Sequence, residues 1–351
     1  MDIILIIIAL TFIFSLRPNR AGLTPDYLNR TTTATINGLF IVLVVFSHFM
    51  TYVPQTDHLM TLTRIWMACK GQLIVATFLF FSGFGIMIQL KKHGPSYIDT
   101  FPVKRILFVW LKFAIAVSLF LILAIVEKTN LSPARILWSY FGLATLGNSG
   151  WYIFAILLMY LLTYLAFKLF AQHFQLALTT VLITSIIYIF IANHFQLPDY
   201  YYDTILCYSA GMMFANHHDQ IAPRIAQSWA SYTPTFIINL LLFGGSYVLC
   251  ALSTGIVHYV CYQIAAITFV FIFVLIAMKF TLSNPFLAYA GGSAMFAIYI
   301  LQRIPMKLIG QTSLASSTVF YFLAVITSTF LFGWIFDKLV DRLLRKVMHK
   351  S

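Results

Sequence analysis

The sequence is poor in charge and nearly empty of acid. Only 9% of its 351 residues are charged, and there is a single glutamate, Glu127. A soluble globular domain carries about a quarter of its residues as charged side chains, so that class is excluded. Chemistry built on paired intramembrane glutamates is excluded with it. The four cysteines, Cys69, Cys207, Cys250 and Cys261, lack metal-ligand spacing, and the nine histidines form no recognisable set, so no bound metal is expected. The thiols fall near one side of the topology below, where a disulfide is open to them and free buried thiols are the simpler state. There is no Walker loop and no dinucleotide glycine fingerprint, which argues against a nucleotide-hydrolysing pump. Internal repeats and inverted pairs of interrupted helices are also missing. No polar stretch is long enough to fold as a separate domain.

What remains is apolar: 61% hydrophobic residues, 34 of them Phe. The expected fold is an all-α polytopic membrane bundle. Eleven apolar segments can be read, at 2–16, 34–53, 71–90, 104–126, 150–170, 174–193, 203–216, 232–253, 258–278, 285–306 and 317–337. The first resembles a signal peptide, but Asp2 replaces the basic start and no small-residue cleavage site follows before Arg17. It reads as a retained anchor. The organisation expected is an anchor helix and basic loop over 1–33, a membrane domain over 34–337 and a basic tail over 338–351.

Net charge is +12, yet the lysines and arginines are scattered over short loops rather than gathered for nucleic acid. One set of alternate loops holds fifteen of them and the other set six. That bias predicts a plasma-membrane protein with the amino terminus outside and the carboxyl terminus in the cytoplasm, facing anionic lipid.

Within this topology the second segment stands out. Asn37 and His48 are eleven residues apart, which puts them on one helical face roughly 16 Å apart along the axis. An ionisable group inside a membrane helix is costly and seldom idle, although a histidine bonded between helices is the plain alternative. Tyr299, Gln302 and Arg303 share a face in the outer half of the tenth segment. Trp151 opens the fifth segment and Asp203 the seventh, both from outside. These residues fit one outer cavity. They also fit an interfacial aromatic belt for Trp151, snorkelling for Arg303 and a helix cap for Asp203. On the cytoplasmic side, Lys104 and Arg105 with Arg17, Arg20, Arg30, Lys91 and Lys92 fit either topology determination or capture of a phosphorylated ligand. Ser82 belongs to a small-residue patch, Phe81–Gly85, suited to close helix packing. His217 and His218 are expected to be solvated.

Several stretches together resemble acyltransferase family 3, the multi-span membrane O-acyltransferases that modify bacterial glycans. Gly38–His48 is similar to that family's opening helix, with Asn37 where its basic residue stands. Phe78–Gly85 resembles the aromatic–Ser-Gly-Phe signature, and Tyr97–Arg105 the short loop ending in two basic residues. Gly150–Tyr160, Tyr202–Met212 and Leu287–Gln302 resemble later stretches, with Gln302 at a usual His position. The six lie in family order across 34–306, so the first segment reads as an addition to a ten-helix core.

The resemblance implies an acyl-CoA, most simply acetyl-CoA, as a donor substrate from the cytoplasm, with no tightly bound cofactor. The acceptor would be a hydroxyl of an envelope glycan or lipid-linked sugar. It implies His48 as general base or acyl carrier, with Asp203, Gln302 and Arg303 in support. Lys104, Arg105 and Asn37 would serve the donor, and Trp151, Tyr299 and Ser82 the substrate. Many relatives carry an appended extracytoplasmic esterase-like domain that completes transfer, so this chain is expected to stand alone, to transfer directly or to use a separate extracytoplasmic transferase. The competing reading is a transporter or flippase for a lipid-linked or acylated molecule.

Overall fold

The computed structural model describes residues 1–19, 22–54 and 60–348. It is an all-α bundle, joined at one end by a small clasp. In chain order the helices are α1 (Asp2–Ile13), α2 (Arg30–Phe49), α3 (Thr61–Cys69), α4 (Leu73–His93) and α5 (Pro95–Phe101). A π-helical stretch, Pro102–Leu107, leads into α6 (Phe108–Val126). Then come α7 (Pro133–Ser139), α8 (Trp151–Leu169), α9 (Phe174–His194), α10 (Leu206–Ala226), α11 (Trp229–Leu252) and α12 (Gly255–Lys279). The chain finishes with α13 (Pro285–Gly291), α14 (Met295–Leu301), α15 (Arg303–Ile309) and α16 (Thr318–Met348). The clasp pairs β1 (Leu16–Pro18) antiparallel with β2 (Phe280–Leu282).

Among the described residues, eight helical runs are long and apolar enough to cross a membrane. Three of the eleven expected segments fall outside that set. α1 has only 12 residues. α10 carries polar residues along its second half, from Asn216 to Gln220. The segment expected at 285–306 is not one helix but three short ones. Gly291 and Gly292 end its first helix after about two turns, and Pro305 has no N–H to continue the ladder past the break at Gln302.

α2 forms the axis of the bundle and is buried on nearly every side, with α4 beside it. Lipid gives helices little hydrophobic reason to associate, so close packing must hold them. Glycine supplies it here. A Cβ on Gly38 would overlap the Leu287 carbonyl, and one on Gly291 the Gly38 amide. Gly83 meets the Tyr208 carbonyl and Gly211 the Phe80 carbonyl in the same way, locking α4 onto α10. The small-residue patch at Phe81–Gly85 therefore works partly as helix packing. Its Gly85 has open space instead.

Buried charges are compensated. Lys112 on α6 lies between two carboxylates of α16, 2.6 Å from Asp337 and 2.9 Å from Asp341. Glu127 pairs with Lys307. Lys279, counted above as a loop charge, is buried; its ammonium donates to the Ala226 carbonyl at 2.8 Å and sits over Trp229. All four cysteines are free thiols, Cys69 exposed and the other three buried. His218 is not solvated as expected: its ring packs on Phe84, with centroids 5.5 Å apart, while His217 is exposed.

Candidate active site

α2 carries a polar stripe. Arg30, Thr33 and Asn37 recur at helical spacing, and His48 lies eleven residues beyond Asn37 on the same face. The helix starts cleanly because the Asn29 side chain accepts the Thr32 amide at 2.9 Å. The stripe begins at a cavity, and its other end meets a group of buried and half-buried polar side chains.

The first end is a cavity of about 600 Å³ lined by Arg30, Thr33, Ser82, Gly85, Gln89 and Arg105, among others. Arg105 sits in the π-helical stretch, where the widened turn re-aims its side chain. Its Nε donates to the Tyr97 hydroxyl at 3.1 Å. Ser82 and the Tyr160 hydroxyl are 2.8 Å apart. Lys104, the neighbour of Arg105, is exposed and does not line this cavity. Asn37 is buried further along the stripe, and its Oδ1 has no partner among the described residues. Ser82, expected among the substrate residues, lines this cavity together with Arg30 and Arg105.

At the other end the break between α14 and α15 presents Gln302 to His48. The fully buried Gln302 donates through Nε2 to the Tyr299 carbonyl at 3.0 Å. Its side chain faces the imidazole without a hydrogen bond of normal geometry. Gln302 Oε1, His48 Nδ1 and the Tyr299 hydroxyl all lack partners among the described residues. Buried polar atoms are rarely left so, and several together mark a place for a ligand. Arg303 holds the Ser149 hydroxyl at 2.9 Å through Nε. Tyr152 packs on Tyr299, with ring centroids 5.2 Å apart, and on Phe78 at 5.9 Å. Trp151 lies one step further out, stacked at a tilt on Tyr200 at 5.7 Å.

Lys70 carries no signature in the sequence that marks it out from other loop lysines. It stands at the end of α3, and its charge, like that of Arg303, reaches His48. Trp66 fixes α3 there by donating to the Ser47 hydroxyl at 3.0 Å. Burial holds the Lys70 ammonium below its ordinary pKa.

Asp203 lies apart from this group. α10 begins only at Leu206 with Ile205 as its cap, so Asp203 neither caps it nor sits within it. The groups its charge touches are Asp199, Tyr262 and Cys250. Burial first, and the Asp199 carboxylate second, push it up to about 7. Its Oδ1 has no partner among the described residues.

The arrangement brings together His48, Gln302, Arg303 and Tyr299 at one end, and Arg30, Arg105 and Ser82 at the other. A family model for an acyltransferase domain matches residues 36–338. No curated protein and no solved structure matches the chain.

Proposed function

We propose that this chain, which belongs to the acyltransferase 3 family, moves an acyl group, most simply acetyl, from acyl-CoA to a hydroxyl of a cell-envelope or exported glycan. Membership makes it a membrane acyltransferase; the donor, the acceptor and the residue roles are the proposal. The observation that carries it is the one face of α2 that presents Arg30 and Thr33 at a basic cavity and His48 about five turns further along.

Arg30 and Arg105 receive the phosphates of the donor, since guanidinium groups recognise phosphate by paired hydrogen bonds. Arg30 stands two turns before Asn37 on the same face, and so supplies the charge that Asn37 lacks. The extended arm of the donor runs along the stripe towards His48. The imidazole of His48, acting as general base, takes the proton of the acceptor hydroxyl. The hydroxyl oxygen attacks the thioester carbonyl, the carbon–sulfur bond breaks, and the thiolate of CoA leaves and is protonated. The alternative order, with His48 carrying the acyl group between donor and acceptor, has the same balance. Gln302 and Arg303 polarise the carbonyl oxygen as negative charge develops on it. The cavity end faces the cytoplasm and the His48 end the outer surface, as the lysine and arginine bias requires.

The test is transfer of labelled acetyl from acetyl-CoA to envelope material, in membranes holding the wild-type chain or His48→Ala at equal amounts. Label moved by the wild type alone supports the reading. Equal label from both removes His48 from the chemistry.

A further inference from the structure

We propose that the acceptor carries an anionic group, a carboxylate or a phosphate, which is held between Lys70 and Arg303 beside His48. The inference rests on the reading of His48 as the place of transfer, and it names the class of molecule that enters from that side.

Two cations converge on this end of the stripe, and both are at least partly buried. Among the described residues, neither takes part in an ion pair. Among the described residues no acid pairs with either cation. Glu127 pairs with Lys307, one turn beyond Arg303. Asp2 accepts the Leu62 and Thr63 amides at 3.0 and 2.8 Å. Asp203 forms no ion pair among the described residues, and its charge bears on Tyr262 and Cys250. Elsewhere the chain does not leave such groups alone: Lys112 has two carboxylates, and Lys279 has a carbonyl and two aromatic rings. Holding two unmatched cations in a low-dielectric cleft is unfavourable unless a ligand supplies the opposite charge.

The geometry is built rather than incidental. Arg303 uses Nε for Ser149, which leaves the outer edge of its guanidinium for a planar or tetrahedral anion. Lys70 is set on a defined turn. Its amide donates to the Trp66 carbonyl at 2.8 Å, and Gly71 takes a left-handed conformation with φ of 45°. The Tyr262 hydroxyl accepts the Gln72 amide at 2.7 Å and closes the turn. The unpartnered Gln302 Oε1, which is fully buried, adds an acceptor suited to a sugar hydroxyl in the same cleft.

The anion has two sources, the glycan itself or a lipid headgroup. The full chain is reconstituted in phosphatidylcholine vesicles, and binding of radiolabelled methyl glucuronide and methyl glucoside is measured by equilibrium dialysis. The probes differ in one carboxylate. The glucuronide is expected to bind about tenfold more tightly, the equivalent of one charge-assisted hydrogen bond. Lys70→Gln should abolish that preference and Lys70→Arg should keep it. Equal binding of the probes, no binding of the glucuronide, or a preference unchanged in Lys70→Gln overturns the proposal. Loss of glucuronide binding on adding phosphatidylglycerol assigns the cleft to a headgroup and overturns the glycan acceptor; unchanged binding supports it. Dialysis needs no turnover, so a preference without acetyl transfer would spare this site while sinking the acyltransferase reading.

Discussion

Gly291 rests backbone to backbone on Gly38, so closely that a methyl group on either would overlap the other helix. This contact holds α13 against α2, and α13 in turn leads to α14 and to the break at Gln302. The position of Gln302 over His48 therefore depends on two residues that have no side chain.

Gly291→Ala is expected to destabilise the fold by about 3 kcal/mol or more, because backbone and not a flexible side chain must yield. Gly245→Ala on α11, where a Cβ meets nothing, should leave stability unchanged or slightly raised. Thermal melting of both variants in detergent checks the pair; equal melting temperatures would contradict the packing account.

His48→Ala should lower acetyl transfer by roughly 100-fold or more, the ordinary contribution of a positioned acid–base group. Folded yield should hold, since His48 Nδ1 has no partner among the described residues and an alanine fits the space the ring leaves. Size-exclusion profiles alongside the transfer assay separate the two effects.

Arg105→Ala should raise the KM for acetyl-CoA by about tenfold, as loss of a charge-assisted contact predicts. Lys104→Ala should leave it nearly unchanged, because that side chain is exposed away from the cavity. Initial rates at varied donor concentration decide; equal effects would mean that both residues serve only the surface charge.

Asp203 predicts a dependence on pH. Its folded pKa is raised to about 7, so between the ordinary carboxylate range and pH 7 the folded state holds a proton that the unfolded state has lost. Stability contributed by this group is full at low pH and falls as pH rises through that window. Asp203→Asn should therefore melt higher than wild type at pH 8, by several degrees, and close to it at pH 4. A gap independent of pH would remove the carboxylate as its cause.

Lys112→Met strands two carboxylates on α16 and should cost about 3–5 kcal/mol. Adding Asp337→Asn and Asp341→Asn should recover most of the loss. Chemical denaturation of the single and triple variants measures it.

Much of this architecture is legible in the sequence because lipid demands long apolar helices and leaves few alternatives. α2 with Asn37 and His48 on one face could be drawn from spacing alone. The division of 285–306 into three helices was not legible. Its Gly-Gly pair and Pro305 are visible, but whether glycine bends a helix or packs it depends on the helix opposite. That Ser82 lines the cavity with Arg105 was not legible either, because sequence gives a residue's depth less well than its face. Lys70 was missed for a related reason: it sits in a short connecting helix, where a lysine reads as loop charge until Trp66 is seen tied to Ser47. Lys104 and Arg105 look equivalent in the chain, and only the π-helical turn separates them.

Tyr152 packs edge-on against Phe78 and at a tilt against Tyr299, so three aromatic rings pack together at the His48 end of α2. A soluble enzyme may open its substrate paths freely, but a protein lying across a charged membrane must not conduct. A polar track running the length of α2 would short-circuit the ion gradients that energise the cell. If the proposed transfer takes place, packed aromatic rings at that end would act as electrical insulation, closing around a threaded organic arm while excluding a hydrated proton or sodium ion.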